Sequence, residues 1–152
     1  MDLTDLFKQS SRSKLVYLYG RPSSVALHLR ENILPNLYMG CRPDARSVDC
    51  AASLSVLLPR GIAATQLAIV DRVPRDLAWR EFVRDVLGEA RERILPVWMI
   101  DNLNPHTNPQ APLLKASDLV FEVDWCFDRA GVFTPVKDSR NLFEEGPIEV
   151  TV

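Results

Sequence analysis

Ala68-Ile-Val-Asp71, a helix-length interval, and then Val97-Trp-Met-Ile-Asp-Asn-Leu-Asn104 decide the fold of this chain. Each apolar run is short, as a buried strand is, and each ends in polar residues. Between them Trp79, Phe82, Val83, Val86, Leu87, Ala90 and Ile94 keep to one helical stripe, with Arg75, Arg80, Glu81, Arg84, Asp85, Glu89 and Arg91 on the other side. Strand, amphipathic helix, strand is the unit of an open α/β core, whose chemistry sits at the carboxyl ends of the strands. Yet no Gly-x-x-x-x-Gly-Lys-Ser/Thr phosphate loop occurs anywhere in the 152 residues.

Working toward the N-terminus, Lys14 to Tyr19 is a compact apolar run closed by Gly20, which predicts a buried strand. Pro22-Ser23-Ser24 offers a helix start, followed by Val25, Ala26, Leu29 and Ile33 at helical spacing. Residues Asp2 to Arg12 predict a short amphipathic helix, and a further helix is expected from about Ala45 to Leu58, before Pro59 and Gly61. Toward the C-terminus, Asn104 to Pro112 is rich in proline and asparagine and reads as a loop. Asp118 to Trp125 alternates apolar and acidic residues from Leu119 on, as a half-exposed strand does. Val132 to Val136 and Ile148 to Val152 predict two more strands, antiparallel at one edge of the sheet.

The length suits a single domain spanning 1–152, large enough to bury roughly 70% of its unfolded surface. Hydrophobic content of 47% and charged content of 25% are those of a globular domain. A net charge of -2 gives no whole-chain support for nonspecific nucleic-acid binding. The three cysteines, Cys41, Cys50 and Cys126, are odd in number and lack metal-type spacing, which fits a reducing compartment, nuclear or cytoplasmic. No apolar run approaches the ~18 residues of a membrane span, so no membrane partner is expected.

The order of these segments resembles the RecA-type ATPase core of strand-exchange recombinases, their paralogs and hexameric helicases. Leu15-Val-Tyr-Leu-Tyr-Gly20-Arg-Pro-Ser-Ser24 resembles the family's second core strand and the turn after it. Leu67-Ala-Ile-Val-Asp71 resembles the Walker B strand, and Val97 to Leu103 resembles the strand ending in a polar amide that senses nucleotide or DNA. Ser117 to Val123 resembles the next strand. Val136-Lys137-Asp138-Ser139, Glu144-Glu145 and Ile148-Glu-Val resemble the closing hairpin of eukaryotic-type recombinases. The resemblance implies a RecA-like three-layer α/β sandwich, truncated at its start, with a mainly parallel sheet and a C-terminal antiparallel hairpin. It also implies that the family's first strand and phosphate loop would precede residue 1. The carboxylate that follows the family's second strand is replaced here by Arg21-Pro22. Phosphoryl transfer needs a backbone cradle, a lysine, a metal and a water-orienting group. This chain offers at most the metal-side aspartate, so no catalytic residue, cofactor or ATPase activity is expected.

Asp71, Asp101 and Asn102 stand at strand ends as a degenerate nucleotide site; Asp71 equally caps the turn before Pro74, and Asn102 equally suits a turn. Trp125, Phe127 and Phe133 are candidates for partner contact, with core packing the competing reading. Arg42, Arg46 and Lys115 are candidates for DNA contact, as part of a complex, with scattered surface charge the competing reading; the Asn104–Pro112 loop has no arginine, lysine or aromatic ring for base stacking. His28 and His106 have no metal-spaced partner, so no metal site is expected. The implied partner is a RecA-like sister subunit or recombinase, in homologous recombination. Two other classes stay open: an inhibitor of a polymerising protein, of the SOS-induced division-inhibitor type, and a Rossmann-like small-ligand domain.

Overall fold

The computed structural model describes residues 1–10, 12–13, 15–22, 25–28, 46–48, 68–70, 97–103, 107–127 and 129–152. Helix α1 is Leu3–Ser10, strand β1 Leu15–Arg21, helix α2 Val25–His28, strand β2 Arg46–Val48, and strand β3 Ala68–Val70. Strand β4 is Val97–Asn102 and helix α3 Ala111–Ala116; β5 is Leu119–Phe127, β6 Ala130–Asp138 and β7 Ile148–Thr151.

The strands form one mixed sheet in the order β2-β3-β4-β1-β5-β6-β7. From β2 through β5 every neighbour pairs in parallel, whereas β5–β6 and β6–β7 are antiparallel. Strand β1 lies between β4 and β5, with Leu18 opposite Ile100 on one side and Phe121 on the other. Such a strand is bonded along both edges and buried on both faces, which is why its apolar run Leu15–Leu18 is unbroken.

One face carries Val16, Leu18, Trp98, Ile100, Leu119, Phe121, Val123, Trp125, Phe133 and Val150, all in a single core. Helix α1 closes that face with Leu3, Leu6 and Phe7, spaced to fall on one stripe. The Phe7 ring meets Trp98 at 5.5 Å between centroids. Asp2 starts the helix by accepting the Thr4 N–H at 2.7 Å, as an N-cap residue does. The opposite face carries Tyr17, Met99 and Val120, also buried, and α3 packs there through Leu113. Pro112 opens α3, where its missing N–H leaves no hydrogen bond unmade. At its other end the Lys137 ammonium donates to the Leu114 and Lys115 carbonyls.

Three sequence expectations change. The helix expected from Ala45 does not begin there: Arg46–Val48 is a strand whose ladder to Ala68–Val70 overrides local helix preference. The loop expected to run through Pro112 ends earlier, because α3 starts at Ala111. The sheet is also more mixed than expected, since β5 already pairs antiparallel with β6 before the β6–β7 hairpin. The helix expected over residues 76–94, with Trp79, lies outside the described residues.

Candidate functional site: the crevice beside the central strand

The strand order defines where a ligand crevice can form. From β1 the chain crosses to β2 at the far edge, then works back through β3 and β4 and passes over β1 to β5. Right-handed crossovers then place the helix after β1 and the helix after β4 on opposite faces. They do lie so: His28 of α2 packs its ring on Trp125 of one face, and the Gln110 N–H before α3 donates to the Tyr17 hydroxyl on the other. Between these diverging connections, at the carboxyl ends of β1 and β4, lies the switch-point crevice. Gly20 and Asn102 are paired there.

This topology gives β1 a different place from the one its sequence suggests. Strand β1 is the switch-point strand, not the second strand of the core, so Gly20-Arg21-Pro22-Ser23-Ser24 follows the strand after which a phosphate-binding turn stands. Gly20 has φ +107°, and a Cβ on it would lie 2.6 Å from the Val123 carbonyl oxygen. Its missing side chain therefore serves the close approach of β1 to β5. The Leu103 N–H donates to the Gly20 carbonyl at 2.9 Å, and the Val25 N–H, at the start of α2, donates to the Pro22 carbonyl at 2.9 Å. These amides are committed within the chain rather than presented to an anion.

Below the crevice is a hydrogen-bonded chain. The Tyr17 hydroxyl donates to Asp101 Oδ2 at 2.5 Å and accepts from the Gln110 N–H at 3.2 Å. Asp101 is 2% exposed. Its carboxylate is thus turned into the sheet face and engaged by Tyr17, while Asn102, next in the strand, is exposed. Tyr19 lies opposite both Asp101 and Glu122 across the strands, with its ring 5.7 Å from that of Tyr17. Burial pushes the Tyr19 phenol above its usual pKa, and the Glu122 carboxylate adds to the shift. Exposed Arg21, Glu122 and Asp124 border this end of the sheet.

The sequence candidates fare as follows. Asp101 and Asn102 sit together at the end of β4, inside the strand rather than after it. Asp71 and Arg42 lie outside the described residues. Arg46 belongs to β2, at the edge of the sheet, and Lys115 is exposed in the last turn of α3. Trp125 and Phe133 are corrected: they are 4% and 0% exposed, with rings 6.1 Å apart, so in this fold they are core residues and not surface anchors. Phe127 ends β5. Sequence reasoning missed Tyr17 and Gln110. The signal for Tyr17 was its hydroxyl in an otherwise apolar central strand, which needs a buried partner.

The sequence matches no protein-family model and no curated protein. Its fold matches that of the flagellar accessory protein FlaH from Methanocaldococcus jannaschii, with a TM-score of 0.56 over 95% of this chain and 89% of that one. Identity across the match is 9%, so the likeness is one of fold. The fold is RecA-like: an α/β architecture on a mixed sheet. No helix among the described residues is long and apolar enough to cross a membrane.

Proposed function

We propose that this chain is a non-catalytic RecA-like subunit that acts by assembling with other proteins. The observation that carries this reading is the state of the switch point. The core strands are kept, but the turn after β1, Gly20-Arg21-Pro22-Ser23-Ser24, has serine hydroxyls without the second glycine and the lysine of a phosphate loop. Gly20 is given over to strand packing, and Asp101 is engaged by Tyr17. Without a cradle and a lysine, the charge that develops in phosphoryl transfer has nothing to stabilise it.

The partner favoured by the order of motifs is a RecA-like sister subunit or a recombinase, with a role in homologous recombination and DNA repair. DNA contact through Arg42, Arg46 and Lys115 then belongs to the complex. A second reading draws on the comparison: FlaH carries the same fold and is described as an accessory protein of the flagellum. An accessory or inhibitory role on another polymerising protein therefore stands beside recombination.

Affinity capture of the tagged chain from its native cells after nuclease treatment separates these readings. Recovery of a recombinase or RecA-like sister supports the first, and recovery of a different polymerising protein supports the second. In parallel, a fluorescent ATP analogue is titrated against the purified chain with magnesium present. Saturable micromolar binding would overturn the non-catalytic reading and restore the nucleotide site.

A further inference from the structure

Among the described residues, none covers the sheet face opposite α1 at its antiparallel end. Register places Glu122 opposite Thr134, and Asp124 opposite Val132, which is in turn opposite Glu149. Glu122, Asp124, Glu149 and Thr151 are exposed, and Val132 is half-buried. A groove of about 270 Å³ runs here, its floor formed by Ala130, Gly131 and Val132, between Asp124 on β5 and Glu149 on β7. It falls below the roughly 300–1,000 Å³ typical of small-molecule sites and suits one or two inserted side chains. Neighbouring strands lie about 4.8 Å apart, so Asp124 and Glu149 flank the Val132 floor at about twice that spacing.

We propose that this groove docks a basic segment of a partner protein, with an arginine or lysine stem lying over Val132 and its charge among the carboxylates. The apolar floor suits the aliphatic stem, and Glu149 at the rim suits the cationic head, with Glu122 adding negative charge one row away. The same carboxylates repel a phosphate backbone, which selects a protein over a nucleic acid. The proposal rests on the subunit reading above and gives its partner a chemistry.

The test uses the full chain and two fluorescein-labelled hexapeptides, Arg-Val repeated three times and Arg-Gly repeated three times. Binding is read by anisotropy at low salt and mapped by amide chemical shifts. The Arg-Val peptide is expected to bind several-fold more tightly than the Arg-Gly peptide and to shift the amides of Gly131, Val132 and Val150. Glu149→Lys is expected to weaken it about tenfold, since reversal turns an attraction into a repulsion. Glu122→Lys, one row away on an exposed site, is the second variant and is expected to act in the same direction. Equal affinity for both peptides, shifts confined to other strands, or indifference to both reversals would overturn the proposal. So would self-association of the wild-type chain that Glu149→Lys abolishes, because the occupant would then be a second copy. Failure here is separable from failure of the subunit reading. A captured partner whose binding ignores Glu149→Lys refutes the groove alone; peptide docking in a chain that binds ATP productively refutes the non-catalytic subunit alone.

Discussion

Tyr17→Phe removes one oxygen from the middle of the sheet and leaves the ring in place, so its effect isolates the hydrogen-bonded chain beneath the crevice. Among the described residues two bonds go: the donor to Asp101 at 2.5 Å and the acceptor for the Gln110 N–H at 3.2 Å. A hydrogen bond to a charged group contributes about 1.5–3 kcal/mol, and an amide left short of a partner costs roughly a further 1 kcal/mol. The Gln110 bond is partly buried and longer, which sets the expectation at about 3 kcal/mol in all. In a chain of this size that lowers Tm by roughly 6–12 °C. Urea unfolding followed by tryptophan fluorescence measures it, with the slope unchanged between variants. A double-mutant cycle with Asp101→Asn then reports the pairwise part, expected at about 1–2 kcal/mol. A loss below about 0.5 kcal/mol for Tyr17→Phe, or additive behaviour in the cycle, would refute the view that this chain of bonds anchors the segment leading into α3.

Gly20→Ala is expected to cost about 3 kcal/mol or more, from the unfavourable positive φ and the 2.6 Å approach to the Val123 carbonyl, again read by urea unfolding. Asp138→Ala removes the carboxylate that accepts the Leu142 N–H at 3.0 Å and the Phe143 N–H at 2.8 Å. It should cost about 2 kcal/mol, and Asp138→Asn less, since the amide oxygen keeps one acceptor. Tyr19 sets a pH dependence at the alkaline end. Its folded pKa is raised above the unfolded value of 10.0, so the unfolded chain loses its proton first and stability falls as pH rises through 10 toward the folded value. Below pH 10 this contribution is fully present. Glu122→Gln should lower the Tyr19 pKa toward normal and reduce the alkaline loss, as spectrophotometric titration of the phenol and alkaline melts measure.

Much of the sheet was legible because its strands are apolar runs bounded by glycine, proline or charge. Leu15–Leu18, Ala68–Val70 and Val97–Ile100 were each found within a residue or two. Strand β2 was not, because three residues held by one parallel neighbour carry no pattern of their own. The place of β1 was misread for a related reason: strand order is fixed by crossovers, which local periodicity does not encode. At the site, Asp101 and Asn102 were picked out as strand-end polar residues, but alternation along β4 sends Asp101 onto the Tyr17 face and buries it. The reading of Trp125 and Phe133 as partner anchors failed where core packing was its competitor. The β5 pattern places Trp125 on the same face as Leu119, Phe121 and Val123, and that shared face is the core.

The edge of the sheet at β7 is finished by Met1 and Asp2. The Met1 ammonium donates to the Glu149 carbonyl, the Thr151 N–H donates to the Met1 carbonyl, and Asp2 bridges Thr151 in parallel. The contact between Met1 and Glu149 spans 148 positions of sequence. During synthesis Met1 and Asp2 therefore wait until Glu149 and Thr151 have been made before either gains its partner. Until then β6 presents an unpaired edge, able to pair with another chain. Assembly of this edge is thus a late and slow event, and it sets a time window in which a nascent or partly unfolded molecule is exposed to aggregation.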